Sequence, residues 1–235
     1  MRLDAYLVSN GYFESRNKAQ YEIKEGNVLV DGKIITKASF DIENGNIEIL
    51  NTLKYVSKGG LKLEKALSFY SVDPTNFNCL DIGASTGGFT DCLLQNGAKE
   101  IYAIDTGINQ LHESLLKNPK VHSFEKTNFL NFDLKQLPKI DLIVIDVSFV
   151  KVENILKRVI ESFKNCKVIF LIKPQFELGK TYIKNGVVKD PKLHKTVIDN
   201  IKLFLNSYNI KYFDVIDSPI LGGSGNKEFL LMFNL

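Results

Sequence analysis

A chain of 235 residues, 44% hydrophobic and 24% charged, can bury a real core, as one mid-sized domain or as a small unit joined to a larger one. Its net charge of +3 permits a nucleic-acid partner without requiring one, and its three cysteines, none spaced Cys-x-x-Cys, argue for core thiols rather than disulfides or a metal site. No apolar run is long enough to span a bilayer, and Met1-Arg2-Leu3-Asp4 opens on charge rather than on an apolar leader, so a cytoplasmic protein with no membrane partner is expected.

Residues 1–52 read as a small α+β domain. Leu3, Ala5, Tyr6 and Leu7 begin a helical pattern that Asn10-Gly11 closes, and Ser15 is placed to cap a second helix over 16–24 that stops at Gly26. Val28-Leu29-Val30 and Lys33-Ile34-Ile35-Thr36, joined by Asp31-Gly32, form a hairpin signal, and a further strand is predicted over 46–50. The order of caps, helix and hairpin, with Arg2-Leu3-Asp4-Ala5-Tyr6-Leu7 and Asn27-Val28-Leu29-Val30-Asp31-Gly32-Lys33, resembles the RNA-binding module named after small-subunit ribosomal protein four. That resemblance implies RNA-phosphate contacts from Arg2, Arg16, Lys18 and Lys24, with Lys33 a further candidate. Residues 1–50 hold six Lys/Arg against eight Asp/Glu, so such binding needs the cations to share one face.

Residues 53–60 lack periodicity and end in Gly59-Gly60, which predicts a linker; residues 61–235 are then the second domain. Lys54, Lys58, Lys62 and Lys65 gather here against Glu64 alone, so Lys58 joins the RNA-contacting candidates. A helix is predicted over 61–70, with Leu63, Ala66, Leu67 and Tyr70 on one stripe.

The stretch Cys79-Leu80-Asp81-Ile82-Gly83-Ala84-Ser85-Thr86-Gly87-Gly88-Phe89 has the grammar of a buried strand entering a glycine-rich turn and a helix. Glycines let backbone approach a ligand, and Asp105, one strand later, is placed to accept ribose hydroxyls. The spacing lacks the close second glycine of the dinucleotide fingerprint; it resembles the loop of S-adenosylmethionine methyltransferases, which makes Asp81, Gly83, Ala84, Ser85, Thr86, Gly87, Gly88 and Asp105 cofactor candidates. Asn128, after the third strand, could meet an adenine edge. Further strands are predicted over 101–104, 121–124, 142–145, 168–172, 212–216 and 229–233, with helices between most of them, including one capped by Asp190-Pro191. An α/β, Rossmann-like sheet of seven strands follows, its last strand returning antiparallel.

In such sheets ligands bind at the C-terminal ends of the strands. Asp146 and Lys173 stand at two of those ends, Glu228 at the start of the returning strand, and Lys62 on the first helix of the domain. Together with Ser57-Lys58-Gly59-Gly60-Leu61-Lys62-Leu63, Asp146-Val147-Ser148-Phe149, Lys173-Pro174-Gln175-Phe176-Glu177, Gly186-Val187-Val188-Lys189-Asp190-Pro191 and Ser224-Gly225-Asn226-Lys227-Glu228, the chain resembles the TlyA family, a ribosomal-protein-four-type module fused to an FtsJ-like ribosomal-RNA 2′-O-methyltransferase. The resemblance implies a catalytic tetrad of Lys62, Asp146, Lys173 and Glu228, with Asp146 also at the cofactor, and ribosomal RNA or a ribosomal subunit as partner. It further implies a cytidine target in the large subunit alone, since this chain lacks the terminal extensions of longer members. Where the family often carries arginine and tryptophan between its domains, this chain has Leu53-Lys54-Tyr55-Val56, which puts linker-mediated coupling of RNA and cofactor binding in question.

Methyl transfer to a hydroxyl suits these residues. Lys173 is expected to contact the 2′-oxygen, orienting the hydroxyl and stabilising developing negative charge, in a set of four groups that titrate together. Phe149 could stack on the target base or on the cofactor, or serve as a core aromatic. His112, His122 and His194 show no ligand spacing, so no metal is expected, and a monomer is. Three other readings stand beside this one: a non-catalytic ribosome-binding or assembly factor; a membrane-active cytolysin, since members of the family have carried a haemolysin label; and a nicotinamide-dependent oxidoreductase, which the glycine spacing disfavours.

Overall fold

In the computed structural model, which describes residues 1–24, 26–50, 54–148, 150–178, 186–222 and 225–235, the chain divides into two units, Met1–Lys54 and Tyr55–Leu235. In the first, α1 (Leu3–Ser9) packs with α2 (Arg16–Lys24), whose start is fixed by Ser15 Oγ accepting from the Lys18 N–H at 3.3 Å. Strands β1 (Val28–Val30) and β2 (Lys33–Ile34) form the hairpin, and β3 (Ile47–Ile49) pairs with the other edge of β1. Asp31 and Gly32 both take left-handed backbone, φ 50° and 73°, the twist that a two-residue hairpin turn requires. Leu3, Leu7, Ala19, Ile23, Val28 and Ile47 form the core of this unit.

The second unit starts before its predicted boundary. Tyr55 is 2% exposed, and its ring lies where a Cβ on Gly60 would be, while the Val56 N–H donates to Asp91 Oδ2 at 2.8 Å. Helix α3 (Gly59–Phe69) begins two residues early. Residues 55–60, expected as linker, are thus part of this unit.

The unit is built on β4 (Asn78–Ile82), β5 (Glu100–Ile104), β6 (Val121–Phe124), β7 (Leu142–Ile145), β8 (Lys167–Ile172), β9 (Ile216–Asp217) and β10 (Phe229–Asn234). Their order is β6-β5-β4-β7-β8-β10-β9, parallel from β6 to β8, with β10 antiparallel to both neighbours. Alternation in the strands splits the core in two. Leu80, Ile143, Phe170 and Leu231 face a layer with α6 (Val152–Ser162) and α8 (Pro191–Ser207); Cys79, Val144, Leu171 and Met232 face one with α3 and α4 (Gly88–Gln95). Both faces are covered, which is why the central strands read as continuous apolar runs. Asp190 Oδ1 accepts from the Lys192 N–H at 2.9 Å, with Pro191 at the first position of α8, as the sequence indicates.

The sixth strand differs from expectation. Residues 212–215 make an isolated Tyr212–Phe233 bridge, and the Asp214 and Leu230 carbonyls, 2.8 and 2.9 Å from the Tyr70 hydroxyl, share its one proton. A side chain satisfies backbone that a ladder would otherwise pair, so β9 is confined to Ile216 and Asp217. Among the described residues, no helix is long and apolar enough to cross a membrane.

Candidate active site

Strand register brings the candidate residues to one rim. Ile82 pairs with both Ile104 and Ile145, and Phe229 with Ile172. The residues that follow β4, β5, β7 and β8 (Gly83, Asp105, Asp146, Lys173) and the one that precedes β10 (Glu228) therefore all lie at the end of the sheet where the parallel strands finish. The chain runs outward from β4 to one edge and then resumes at β7 on its other side. Ligand crevices form at such a switch point.

Gly83 occupies it. Its φ is +87°, and a Cβ there would stand 2.5 Å from the Asp146 carbonyl oxygen, so no other residue lets the two loops close this tightly. The Asp146 N–H donates to the Ile82 carbonyl at 3.0 Å, fastening the loops together. Asp105 braces the glycine loop, its Oδ2 accepting from the Ser85 N–H at 2.8 Å and its Oδ1 from the Gly107 N–H at 2.6 Å.

Two adjoining cavities result. The larger, about 400 Å³, is lined by Gly83, Ser85, Asp105, Asn128 and Asp146, with apolar walls from residues such as Phe129 and Val150. The smaller, about 170 Å³, is lined by Lys62, Asp146, Lys173 and the loop residues Gly83, Ala84, Ser85, Thr86 and Gly88. Gly83, Ser85, Asp146 and Ser148 belong to both. Asn128 places its Oδ1 on the Leu130 N–H at 2.9 Å, which leaves its NH2 group for a ligand.

The four tetrad candidates form two ion pairs. Lys62 Nζ reaches Glu228 Oε2 at 2.6 Å, with the residues 8% and 3% exposed, and Lys173 Nζ pairs with Asp146 Oδ1 and donates to Ser148 Oγ at 3.0 Å. A Cβ at Gly222 would overlap the Glu228 carboxylate, so that glycine makes room for the buried acid. Lys58, half-buried just before α3, has its pKa lowered by burial and then by the like charge of Lys62.

Asp81 and Gly87 line neither cavity. Asp81 is wholly buried in β4, with Oδ2 accepting from the Thr90 hydroxyl at 2.7 Å and Oδ1 without a hydrogen-bond partner among the described residues; burial pushes its pKa up to about 7. Gly87, φ +94°, starts α4 beneath Leu111 and Leu115. Phe149 and Ser224 lie outside the described residues.

In the N-terminal unit, Arg2 and Arg16 come together on Asp4. This buried carboxylate accepts from Arg2 Nε and Nη2 at 3.0 Å each, from Arg16 Nη2 at 2.9 Å and from Gln20 Nε2 at 2.6 Å. The guanidinium side chains stay 49% and 54% exposed. Lys24 is exposed and Lys18 half-buried on α2. Sequence reasoning left Ser148 and Glu177 without roles although both stand inside motifs it singled out. Gln110 and Thr127 in the larger cavity had no signal at all: Glu125, accepting from the Asn109 and Gln110 N–H groups at 2.9 and 3.1 Å, shapes the irregular loop that delivers Gln110.

The His112, His122 and His194 rings serve structure. His112 Nδ1 accepts from the Ser114 N–H at the start of a short helix, His122 pairs with Glu100 at 2.7 Å, and buried His194 bonds the Val188 carbonyl at 3.0 Å.

Residues 55–235 match the FtsJ-like methyltransferase family, and residues 1–47 match the S4 domain. The 23S rRNA (cytidine-2'-O)-methyltransferase TlyA of Campylobacter jejuni is 41% identical over 82% of this chain and 83% of its own length. The 16S/23S rRNA (cytidine-2'-O)-methyltransferase TlyA of Mycobacterium tuberculosis is 34% identical over 98% of this chain and 88% of its own. The chain belongs to the TlyA family of FtsJ-like methyltransferases. A solved structure from Streptococcus thermophilus, named a hemolysin, superposes with a TM-score of 0.79 at 37% identity, covering 99% of this chain and 87% of that one.

Proposed function

We propose that this methyltransferase transfers the methyl group of S-adenosylmethionine to a ribose 2′-oxygen of ribosomal RNA, with the cofactor in the larger cavity and the acceptor ribose in the smaller. The observation that carries the reading is the shared wall: Asp146, paired with Lys173, lines both cavities.

The residues present suit this cofactor. A cavity of about 400 Å³ falls within the range of small-ligand sites. Its backbone approach at Gly83, a carboxylate at Asp105 for ribose hydroxyls, the Asn128 NH2 for an adenine edge and apolar walls for a flat base suit a nucleoside without phosphates. Asp81 supports the loop from beneath rather than from the cavity wall. When bound, S-adenosylmethionine supplies a sulfonium-activated methyl group.

The chain then has to orient an oxygen and manage its proton. Lys173 donates a hydrogen bond to the 2′-oxygen, fixing it in the smaller cavity and stabilising the negative charge that grows as its proton leaves for water. Asp146 holds the Lys173 ammonium, and Lys62, which also lines the smaller cavity, is held by Glu228, which lines neither. In the S4 unit, Arg2 and Arg16 hold RNA phosphates through the donors that Asp4 leaves unused, together with Lys18 and Lys24; Lys58 adds charge beside the catalytic cavity. A cytidine of the large subunit is the proposed target, in line with the name of the Campylobacter relative.

The test is transfer from methyl-labelled S-adenosylmethionine to ribosomal RNA by wild type and K173M. Wild-type transfer, with K173M reduced at least about 100-fold and unchanged in cofactor affinity, is the expected result. Cofactor binding without transfer by wild type on any ribosomal substrate favours the non-catalytic assembly factor, and full activity in K173M removes Lys173 from its role.

A further inference from the structure

A lysine at the end of a strand is long and free to rotate, so its precision depends on what holds it. The Lys173 ammonium carries three N–H bonds. One meets Ser148 Oγ at 3.0 Å, while Asp146 pairs with the ammonium as an opposite charge. Both partners belong to the short loop after β7, whereas Lys173 directly follows β8, its parallel neighbour. The two loops are tied again further on, where Glu177 Oε1 accepts from the Val152 N–H at 2.9 Å and so caps α6, which has no side-chain cap of its own. Ser148 is exposed, lines both cavities and packs in no core cluster. The serine stands at the junction of two cavities, and its side-chain partner there is the half-buried Lys173 ammonium, so its geometry acts on that cation.

We infer that Ser148 is a positioning residue: while Asp146 holds the Lys173 ammonium by charge, Ser148 takes one of its N–H bonds and so turns the others towards the acceptor oxygen. This rests on the ribose-methylation reading above. Attraction to Asp146 alone holds the ammonium in place but lets its N–H bonds turn. The hydrogen bond to Ser148 removes that rotation, so a donor is aimed before RNA arrives rather than by it.

The experiment compares wild type, S148A and S148T with methyl-labelled S-adenosylmethionine and ribosomal RNA. S148A is expected to lower kcat about 10- to 100-fold, the range in which misplacing a reacting group is felt, with KM for RNA and Kd for the cofactor within about twofold of wild type. S148T keeps the hydroxyl and is expected to recover most of kcat. In the unliganded chain, nitrogen-15 NMR of the lysine ammonium groups should show a Lys173 signal that exchanges faster with water in S148A than in wild type or S148T. Unimpaired S148A turnover beside an active wild type overturns this inference alone, and so does an S148T variant as slow as S148A. A wild-type chain that binds cofactor but transfers no methyl overturns the ribose-methylation reading, and this inference with it.

Discussion

Asp81 sits at the centre of the sheet with one carboxylate oxygen on Thr90 and the other without a partner among the described residues. Burial is the main force on it, opposed by the Thr90 hydroxyl and reinforced by the Asp146 charge, and its pKa rises to about 7. An unfolded aspartate titrates near about 4, so between these values the folded chain keeps a proton that the unfolded chain loses. The resulting stability is whole below about pH 4 and is lost as pH climbs through 7. Melting temperatures taken from pH 4.5 to 8 should therefore fall for the wild type over a range where D81N stays flatter; parallel curves would show that Asp81 ionises normally. At this scale the sequence exposed the charged residues but not their partners. Lys62 and Glu228 are 166 positions apart, and the packing of α3 against β10 brings them within 2.6 Å. The acid that the loop motif made most prominent, Asp81, faces away from both cavities because alternation along β4 turns it inward.

Elements were legible wherever a local device sets them. Ser15 and Asp190 cap their helices, and Asp31-Gly32 turns its hairpin, because each acts on backbone two or three residues away. The short β9 was not legible, since its limit is set by a phenol from α3. Nor was the start of α3, which depends on Tyr55 packing over Gly60. In the S4 unit, Asp4 joins elements rather than capping one: Arg2 precedes α1, while Arg16 and Gln20 belong to α2. The Arg2 hydrogen bond, with help from Gln20 and Arg16, holds the Asp4 carboxyl well below the usual carboxylate range against the cost of burial. Its stabilisation is present above the ordinary aspartate value and lost as pH falls. D4N is expected to destabilise this unit by about 1–3 kcal/mol near neutral pH. Urea unfolding followed by unit-resolved NMR should show that deficit shrinking towards pH 3; a deficit that stays constant would mean that Asp4 contributes through shape and not charge.

The whole molecule pairs an S4 unit of low net charge with an FtsJ-like unit in which Lys62 and Lys173, the proposed catalytic lysines, are each matched by an acid. Under the proposed function, that balance suits a division of labour in which phosphate attraction comes from Arg2 and Arg16 held by Asp4, while the rim around Lys173 stays electrically quiet until a ribose oxygen enters. On the same proposal, the glycine loop, the register of the sheet and the Asp146–Lys173 pair serve delivery of a methyl group to a single oxygen. The most direct test incubates the full chain with methyl-labelled S-adenosylmethionine and, separately, large and small ribosomal subunits that lack the modification, then maps the labelled nucleotide. Label on the 2′-oxygen of one large-subunit cytidine is the expected result. Label on a base, or no label although the cofactor binds, would contradict the account at its centre.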